Sequence, residues 1–444
     1  MIVPYFDDQP RLTLLLAALA QQAGGVRFEV VIADDGSPAP PTIPGDLGFT
    51  CTVVRQSDAG FRAAAARNLG VTRAGADLLL FLDGDTLPTA GYLRSMVDRL
   101  RTTDDGHGAL VVGRRRHADL GSIDDHEVLR LLRRDPTVAD ADGPAGWRML
   151  DEPAWLRDGY ARTGNLGSAG EEDFRLVISA VLGMDRRLWQ ATGGFDGSFV
   201  GYGGEDWDLG WRAWLAGARM AYEPAAVAWH DGPDAAARGT DPAVKNAESL
   251  RLARTVPLPS VRGSGLVLDQ PDIVVRYVGP TTGTPADAAV VACVASLLAN
   301  VDAAVWFPRC ADAGEPSAGS SGPGALPPLL SADPRARAGD VPIEILRRAR
   351  HVVTVHRPLR LAAPLDRCCA AGEWQEPGWL EIRRTRALNR DEPPPTGVPA
   401  DPGWSAPPIR AIPDDLSLER WWAGVARTRS RPGGSGSRAP ASAR

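Results

Sequence analysis

Two pairs of carboxylates and one histidine have the residue types and positions that suit metal-assisted chemistry. Asp83 and Asp85 flank Gly84 directly after the apolar run at 78–82. Two carboxylates at the end of a buried strand can hold a hard divalent cation, which neutralises phosphate oxygens. His230 ends another strand-like run and could complete a mixed carboxylate–imidazole site for a metal such as Mn²⁺. The alternatives are an ordinary surface turn and a structural histidine.

The second carboxylate pair, Glu205 and Asp206, opens a helical pattern within the stretch Gly193 to Leu215. Adjacent acids at a glycine-lined helix start suit general-base chemistry on a substrate hydroxyl. Gly210 lies one helical turn from Asp206, so this side of the helix is predicted to be open to a ligand. The alternative is an ordinary helix N-terminus, where acids and glycines are common. Helical spacing places four apolar residues on one face: Trp207, Trp211, Trp214 and Leu215. It places three charged residues on another face: Glu205, Asp208 and Arg212.

Other candidates lie near the ends of the first strands. Asp34 and Asp35 end the strand-like run FEVVIADDGS at 28–37, and Pro4 lies in the run IVPYF at 2–6. Ligands of open α/β sheets bind outside the carboxyl ends of the strands, so these residues are candidates for a ligand site. Arg62 and Arg67 follow in an alanine-rich helical segment and are placed to meet an anionic ligand. A simple turn and a solvated arginine face are the alternatives.

The elements that must position these residues alternate between strands and helices. Strands are predicted at 28–37, 51–56, 77–82 and 109–115, with helices at 12–20, 60–70 and 91–100 between them. This order predicts an α/β domain with a mostly parallel central sheet flanked by helices. A strand at 174–184 and a strand pair at 219–229 complete it. Residues 119–172 are polar and irregular and are predicted to form a long loop or a small helical insertion over the sheet. Loops of this length are usually lids or binding loops. Five of them are candidates for lining an acceptor site: Trp155, Arg157, Tyr160, Arg162 and Asn165.

With 444 residues, 44% of them hydrophobic, the chain is predicted to fold as two domains. We assign residues 1–255 to the first domain. Residues 265–390 are predicted to form a smaller accessory α/β domain, interrupted by a flexible insertion at 312–340. Residues 391–444 are rich in Pro, Gly, Ser and Arg and are predicted to be largely disordered, with a short helix around 416–426.

Charge and cysteine content limit the partners and the compartment. A net charge of −6 gives no reason to expect nucleic acid as a partner. No apolar run reaches membrane-spanning length, and the N-terminus shows no signal peptide. Five scattered cysteines predict reduced thiols in a cytoplasmic protein. The basic tail could contact an anionic membrane surface peripherally, or it could simply be solvated.

Taken in order, the motifs of residues 2–232 resemble those of family 2 inverting glycosyltransferases of the GT-A fold. The resemblance is carried by VPYF, VVIADDGS, GFRAAAARNLG, FLDGDT, TGGFDGSF and GYGGEDWDL. The last motif resembles that of galactosyl- and N-acetylgalactosaminyltransferases and of chondroitin-type polymerases. Residue 207 is Trp where galactosyltransferase-like motifs carry another acid.

The resemblance implies a role for each matching residue. Pro4, Asp35 and Arg67 would hold the nucleotide base. Asp83 would contact the ribose or the metal, while Asp85 and His230 would bind the metal, Mn²⁺ or Mg²⁺. Asp206 would be the catalytic base, and Glu205 would grip the acceptor.

The function predicted from these observations is transfer of a sugar from a nucleotide-diphospho-sugar, expected to be a UDP-sugar, to a hydroxyl of a glycan or glycoconjugate. Synthesis of a cell-envelope polysaccharide is the default expectation. An alternative is a catalytically inactive partner protein that binds nucleotide-sugars or glycans. A nucleotidyltransferase is less favoured, because no basic phosphate-cradling loop follows the first strand.

Overall fold

The computed structural model describes residues 1–121, 123–133, 147–234, 241–281, 284–308, 326–393, 409–412 and 416–422. The chain divides into two compact units. Unit 1 comprises residues 1–263 and 385–392, and unit 2 comprises residues 264–384 and 393–444. The short segment 385–392, which the sequence analysis assigns to the accessory domain, therefore belongs to unit 1.

Unit 1 contains strands and helices in alternation over most of its length. Its strands are β1 (Ile2–Tyr5), β2 (Glu29–Asp34), β3 (Thr50–Arg55), β4 (Leu78–Leu82), β5 (Thr86–Pro88), β6 (Ala109–Asp119), β7 (Arg148–Leu150), β8 (Val181–Asp185) and β9 (Arg219–Asp231). Its helices are α1 (Gln9–Leu19), α2 (Ala63–Val71), α3 (Tyr92–Thr103), α4 (Asp125–Leu132), α5 (Ala154–Arg162), α6 (Arg186–Thr192), α7 (Glu205–Leu215), α8 (Pro242–Thr255) and α9 (Pro259–Arg262).

The strands of unit 1 form one sheet in the order β3-β2-β1-β4-β8-β6-β9-β5, with β7 paired to β6. Six strands (β1, β2, β3, β4, β6 and β9) run in one direction, and β5, β7 and β8 run in the other. The prediction of an α/β domain with a mostly parallel sheet is thus confirmed. Since β1, β2 and β4 are parallel neighbours, their carboxyl ends meet at one edge, where Asp35 and Asp83 follow β2 and β4.

Two sequence predictions for this unit differ in detail from the structure, and a third agrees with one of its two alternatives. The predicted strand 174–184 is a short 3₁₀ helix at Asp173–Leu176 followed by β8. The predicted strand pair at 219–229 is the single long strand β9, whose register with β6 shifts between Gly113 and Arg114. The region 119–172, predicted as a long loop or a small helical insertion, contains the helices α4 and α5 and the short strand β7 among its described residues, in agreement with the second alternative.

Unit 2 is a smaller α/β unit. Its elements are β10 (Ile273–Tyr277), α10 (Thr284–Leu297), β11 (Ala303–Phe307), β12 (Ala336–Ala338), α11 (Ile343–Leu346), β13 (His351–Val355), β14 (Leu359–Leu361), α12 (Leu365–Ala370), β15 (Trp374–Glu376), β16 (Leu380–Arg384) and β17 (Ile409–Ala411). A further helix, α13 (Thr385–Asn389), lies in the segment that belongs to unit 1. The main sheet has the order β12-β11-β10-β13-β16-β15, and β14 pairs with β17.

The predicted insertion and tail of the second half are partly ordered. Within the predicted insertion 312–340, residues 312–325 lie outside the described part, and Ala336–Ala338 forms β12 beside β11. Within the predicted tail, Ile409–Ala411 pairs with β14, and residues 418–422 are helical. Residues 394–408, 413–415 and 423–444 lie outside the described part.

Every helix in the described part of the chain is too short or too polar to cross a membrane.

Candidate active site

A cavity of about 310 Å³ lies at the carboxyl ends of β1, β2 and β4. Six residues that the sequence analysis assigned to nucleotide or metal binding line it: Pro4, Asp35, Arg67, Asp83, Asp85 and His230. They come from five different stretches of unit 1, because Asp83 and Asp85 share the loop between β4 and β5. The structure therefore brings the predicted donor-side residues to one place, although their individual roles stay predictions.

Of the two acids that end β2, only Asp35 lines the cavity. Its carboxylate accepts hydrogen bonds from Gln56 Nε2 and from the Arg62 backbone N–H, both at 2.6 Å. Asp34 is fully buried and accepts from the backbone N–H and the hydroxyl of Ser37, at 2.8 and 2.6 Å. Asp34 thus stabilises the turn after β2. For Asp34, the structure agrees with the alternative interpretation, a simple turn.

Arg67 of α2 lies between the two predicted carboxylate pairs. Its guanidinium donates to Asp83 Oδ1 at 2.7 Å and to Glu205 Oε1 at 3.1 Å, and the side chain is almost fully buried. Burial alone would lower the pKa of Arg67, but the carboxylates of Asp83 and Glu205 outweigh burial and raise it. A permanently charged guanidinium therefore connects the loop after β4 to the start of α7.

Asp85 contacts His230, whereas Asp83 contacts Arg67. Strand β5 pairs antiparallel with β9 so that Thr86 lies opposite His230, and His230 Nε2 is 3.3 Å from Asp85 Oδ2. Burial acts to raise the pKa of Asp85, but the hydrogen bond and charge of His230, with help from Thr86 and Arg115, lower it to about 2. The Asp85 carboxylate is ionised over the physiological pH range.

The three predicted metal ligands are not all together. Asp85 and His230 meet, whereas the carboxylate of Asp83 is paired with Arg67. In the part of the chain that the structure describes, no group of three or more His, Cys, Asp and Glu side chains could hold a metal ion. The oxygen and nitrogen donors of Asp85 and His230 are nevertheless of the kinds that bind a divalent metal, and they face the cavity.

Asp206 lies at the start of α7, beside Glu205. Its carboxylate accepts from the Trp207 backbone N–H at 2.9 Å and from the Ser179 backbone N–H at 3.4 Å. Burial and the neighbouring charge of Glu205 raise the pKa of Asp206 to about 7, although Arg67 and the two N–H groups act against this. A carboxylate with a pKa near neutral pH has the proton affinity that a general base needs.

A glycine-rich loop sets the position of α7. Gly201, Gly203 and Gly204 have φ values of 94°, 84° and 95°, and Gly204 is the residue that precedes the helix. A side chain at Gly204 would also approach Phe199 to 3.0 Å. Only glycine adopts this conformation readily, so these residues fix where Glu205 and Asp206 emerge.

One prediction for α7 is wrong. The space beside Asp206 at Gly210 is not open, because a Cβ there would lie 2.9 Å from the Phe174 backbone oxygen. The charged face of the helix, whose exposure the sequence analysis did not predict, is buried. Arg212 Nε donates to Asp208 Oδ2 at 2.9 Å, and the same guanidinium donates to the backbone oxygens of Thr192 and Gly194.

The predicted acceptor-site residues have different environments. Trp155 is 44% exposed, and its ring centroid is 6.3 Å from that of Trp207, the residue after Asp206. Trp155 and Arg162 line a second cleft of about 590 Å³. Tyr160 is buried, and its hydroxyl donates to the Leu176 backbone oxygen at 2.8 Å. Arg157 pairs with Asp158, and the Asn165 backbone oxygen accepts from the Tyr222 N–H.

Several cavity residues were missed by the sequence analysis. They include Phe6, Arg11, Phe61, Arg115, Tyr202 and Asp234. Arg115 was in principle visible, because three consecutive arginines at 114–116 within a strand must point alternately to opposite faces. Which face each would take depends on the register shift beside Gly113, which the sequence does not reveal.

Comparisons with known proteins cover the same part of the chain. Residues 1–150 match the family model described as glycosyl transferase family 2, and residues 172–228 match the N-terminal domain of galactosyltransferase. The first match contains the acids at 35, 83 and 85, and the second contains Glu205 and Asp206. Both matches lie within unit 1, which is therefore similar to glycosyltransferase domains.

Named relatives agree with the family models. The chain is 30% identical to the hyaluronan synthase of Pasteurella multocida over 251 residues, which are 54% of this chain and 25% of the relative. It is 26% identical to the chondroitin synthase of Escherichia coli, over 58% of this chain and 38% of the relative. It is 28% identical to the pre-mycofactocin glycosyltransferase of Mycobacterium tuberculosis, over 52% of this chain and 42% of the relative. The chain thus spans less than half the length of these relatives. Among solved structures, Staphylococcus aureus TarS 1–349 aligns with a TM-score of 0.36 and 15% identity, over 57% of this chain and 63% of that chain.

Proposed function

We propose that unit 1 is a metal-dependent inverting glycosyltransferase that moves a sugar from a nucleotide-diphospho-sugar to a hydroxyl of a glycan or glycoconjugate. The observation that carries the proposal is Arg67. This single buried guanidinium holds Asp83 on the donor side and Glu205 on the other side, next to Asp206. Arg67 thus links one acid of each pair, and in this proposal the two pairs, which are far apart in the sequence, act in one site.

In the proposed reaction, Asp206 is the general base. It accepts the proton of the acceptor hydroxyl while the hydroxyl oxygen forms a bond to the anomeric carbon of the donor sugar. The bond from that carbon to the diphosphate breaks on the opposite face, and its electron pair leaves with the nucleoside diphosphate. The configuration at the anomeric carbon is inverted. A pKa of about 7 suits this role, because Asp206 can both ionise at neutral pH and bind a proton from the hydroxyl.

Asp85 and His230 would hold the divalent cation, Mn²⁺ or Mg²⁺. They are the two predicted metal ligands in contact, and the low pKa of Asp85 keeps its carboxylate ionised. A bound cation would supply positive charge that offsets the negative charge of the leaving diphosphate. The resemblance favours uridine as the nucleoside, with Pro4 and Asp35 in the part of the cavity that would take the base.

The acceptor would lie on the side of Asp206 where Trp207 and Trp155 are located. Trp155 presents an exposed ring beside Trp207, and aromatic faces are suitable surfaces for the apolar faces of sugar rings. Arg162, on the same face of α5, adds a polar group to the adjoining cleft. The class of acceptor that we propose is therefore a carbohydrate.

Thermal unfolding with a panel of nucleotide-sugars, with and without Mn²⁺, tests the donor class. A ligand that binds the folded state raises its melting temperature, so a shift that needs both a UDP-sugar and Mn²⁺ would support the proposal. Asp85→Asn should remove the Mn²⁺-dependent part of the shift, whereas the matched change at an exposed acid, Asp98→Asn, should not. No shift with any donor would contradict the proposal.

Turnover separates an enzyme from an inactive binding protein. Incubation of the donor that shifts melting with oligosaccharide acceptors should yield a product whose new linkage has the opposite anomeric configuration to the donor, as read by NMR coupling constants. A donor that binds but is neither hydrolysed nor transferred to any acceptor would favour the binding protein instead.

A further inference from the structure

We propose that the guanidinium of Arg115 binds the diphosphate of the donor. In the structure, this guanidinium is paired with the carboxylate of Asp234. The inference rests on the proposed function, because it assigns a phosphate-binding group within the same cavity. No motif match or sequence prediction singled out Arg115.

The pleat of β6 directs Arg115 into the cavity and its two neighbours away from it. Arg114 Nη2 donates to Glu152 Oε1 at 2.7 Å. Arg116 Nε is 3.3 Å from the same carboxylate, and its guanidinium lies 4.5 Å from the centre of the Trp229 ring. Successive side chains of a strand point to opposite faces, so Arg115 alone of the three projects to the other side. There it lines the cavity together with Asp85 and His230.

Arg115 lies close to the proposed metal ligands. Within the pairing of β6 with β9, Arg115 lies opposite Ala228, two residues before His230 and therefore on the same face of the sheet. Asp85, the other proposed ligand, lines the same cavity. A side chain that binds the same diphosphate as the cation must lie close to the residues that hold the cation, and Arg115 meets this requirement.

The hydrogen-bonding capacity of Arg115 is largely unused. A guanidinium has five N–H donors, which match phosphate oxygens in pairs. In the described part of the chain, Arg115 Nη2 donates to Asp234 Oδ1 at 2.7 Å, and its buried Nε has no hydrogen-bond partner. The side chain is only 15% exposed, so the unused donor is shielded from bulk water.

The two other arginines of the cavity are more fully engaged. Arg67 donates to both Asp83 and Glu205. Arg11 contacts Asp8 at 3.1 Å and Asp231 at 2.6 Å. Arg115 contacts one carboxylate among the described ion pairs, so it is the cavity arginine that can accept an anion with the least loss of existing contacts.

The Asp234 carboxylate presents to Arg115 the same kind of atom that a phosphate would present, an anionic oxygen. It would therefore compete with the donor for the guanidinium. A phosphate-binding role of Arg115 can therefore be distinguished from a purely structural role of the Arg115–Asp234 salt bridge. Removing the charge of Asp234 should leave diphosphate binding unchanged or stronger, whereas loss of a structural bridge should weaken binding whichever partner is removed.

The test measures binding of UDP and of uridine to the full chain by titration calorimetry in the presence of Mn²⁺. GDP, dTDP and ADP, each with its nucleoside, are used where wild type prefers another base. Arg115→Met removes the charge but retains much of the aliphatic volume. Arg114→Met is the matched control, since it makes the same change one residue earlier on the opposite face. Arg115→Lys restores a point charge without the guanidinium geometry and serves if the Met variant folds poorly.

The expected result is that Arg115→Met weakens UDP binding by about 10- to 100-fold, the effect of losing charge-assisted hydrogen bonds, while uridine binding is unchanged. Arg115→Lys should fall between that variant and wild type, Arg114→Met should bind like wild type, and Asp234→Asn should bind UDP as tightly or more tightly. The inference is overturned if Arg115→Met binds UDP normally, if it loses uridine and UDP affinity in parallel, or if Asp234→Asn loses as much as Arg115→Met. Failure of wild type to bind any nucleoside diphosphate would overturn the proposed function as well, so the two failures are distinguishable.

Discussion

The pH dependence of sugar transfer should be governed by Asp206. Its pKa of about 7 means that the carboxylate is roughly one-tenth ionised at pH 6, half ionised at pH 7 and nine-tenths ionised at pH 8. Only the ionised form can accept the proton of the acceptor hydroxyl. We therefore expect kcat/KM for the acceptor to rise about tenfold per pH unit below 7 and to level off near pH 8.

Two variants test whether Asp206 causes this rise in kcat/KM between low pH and pH 8, which we call the acidic limb of the pH profile. Asp206→Asn removes the base and should lower kcat by about 10²- to 10⁴-fold, with a residual rate that no longer follows the limb. Glu205→Gln removes the neighbouring negative charge that helps to raise the pKa of Asp206, so any remaining activity should have its limb at lower pH. The assay is initial-rate transfer from pH 5 to 9, with donor affinity measured over the same range as a control. A flat profile between pH 5.5 and 7, or a limb that persists in Asp206→Asn, would refute the assignment.

The same pKa predicts a stability effect that needs no substrate. The folded state raises the pKa of Asp206 above its ordinary value of 3.8, so between about pH 4 and 7 the folded state binds more protons than the unfolded state. The contribution of Asp206 to stability is thus most favourable at low pH and declines as pH rises through this window. Asp206→Asn should melt at a higher temperature than wild type at pH 8 and at a similar temperature at pH 4. An equal difference at both pH values would contradict the shifted pKa.

Three further variants test how α7 and the acceptor side are built. Arg212→Met should destabilise unit 1 by about 3–5 kcal/mol in calorimetric or denaturant unfolding, because it removes the cation that faces the buried Asp208 carboxylate. Gly204→Ala should cost about 1–2 kcal/mol and lower kcat, since its φ of 95° disfavours any residue with a Cβ. Trp155→Ala should raise the acceptor KM severalfold and leave donor affinity unchanged, because the exposed ring lies on the proposed acceptor side.

Each of these variants has a matched control elsewhere in the chain. Arg94→Met removes an exposed helical pair with Asp98 and should change stability by less than about 1 kcal/mol. Gly91→Ala also precedes a helix, but with a φ of −85° and no atom within 4 Å of the added Cβ, so it should be tolerated. Trp422→Ala removes another exposed indole, from unit 2, and should leave the acceptor KM unchanged. Equal effects in a variant and its control would contradict the corresponding argument.

The fold and the location of the site could be predicted because both depend on local patterns. A buried parallel strand is a short apolar run, and the residues after it lie at the ligand-binding edge of the sheet. That reasoning predicted that Asp35 and the pair Asp83 and Asp85 lie close together, and the structure places all three in one cavity. Helical spacing placed Glu205 and Asp206 at the start of a helix, and the family resemblance implied their separate roles.

Burial on the charged face of α7 could not be predicted, because it depends on what packs against the helix. The spacing of Asp208 and Arg212 is the same for a solvated ion pair and for a buried one. In the structure, the backbone oxygens of Thr192 and Gly194 surround the guanidinium, and they belong to a different part of the chain. Gly210 was misread for the same reason: the missing side chain admits the Phe174 backbone rather than a ligand.

The different partners of Asp83 and Asp85 show what a short acidic motif does and does not determine. The motif places two carboxylates within two residues of each other, but the partner of each is supplied by another element. Arg67 of α2 reaches Asp83, and β5 pairs with β9 so that His230 reaches Asp85. A guanidinium and an imidazole have different consequences: Arg67 connects its carboxylate to Glu205 on α7, whereas the imidazole leaves nitrogen and oxygen donors together at the cavity. Two identical acids therefore have different proposed chemistry, and the difference arises from the fold rather than from the motif.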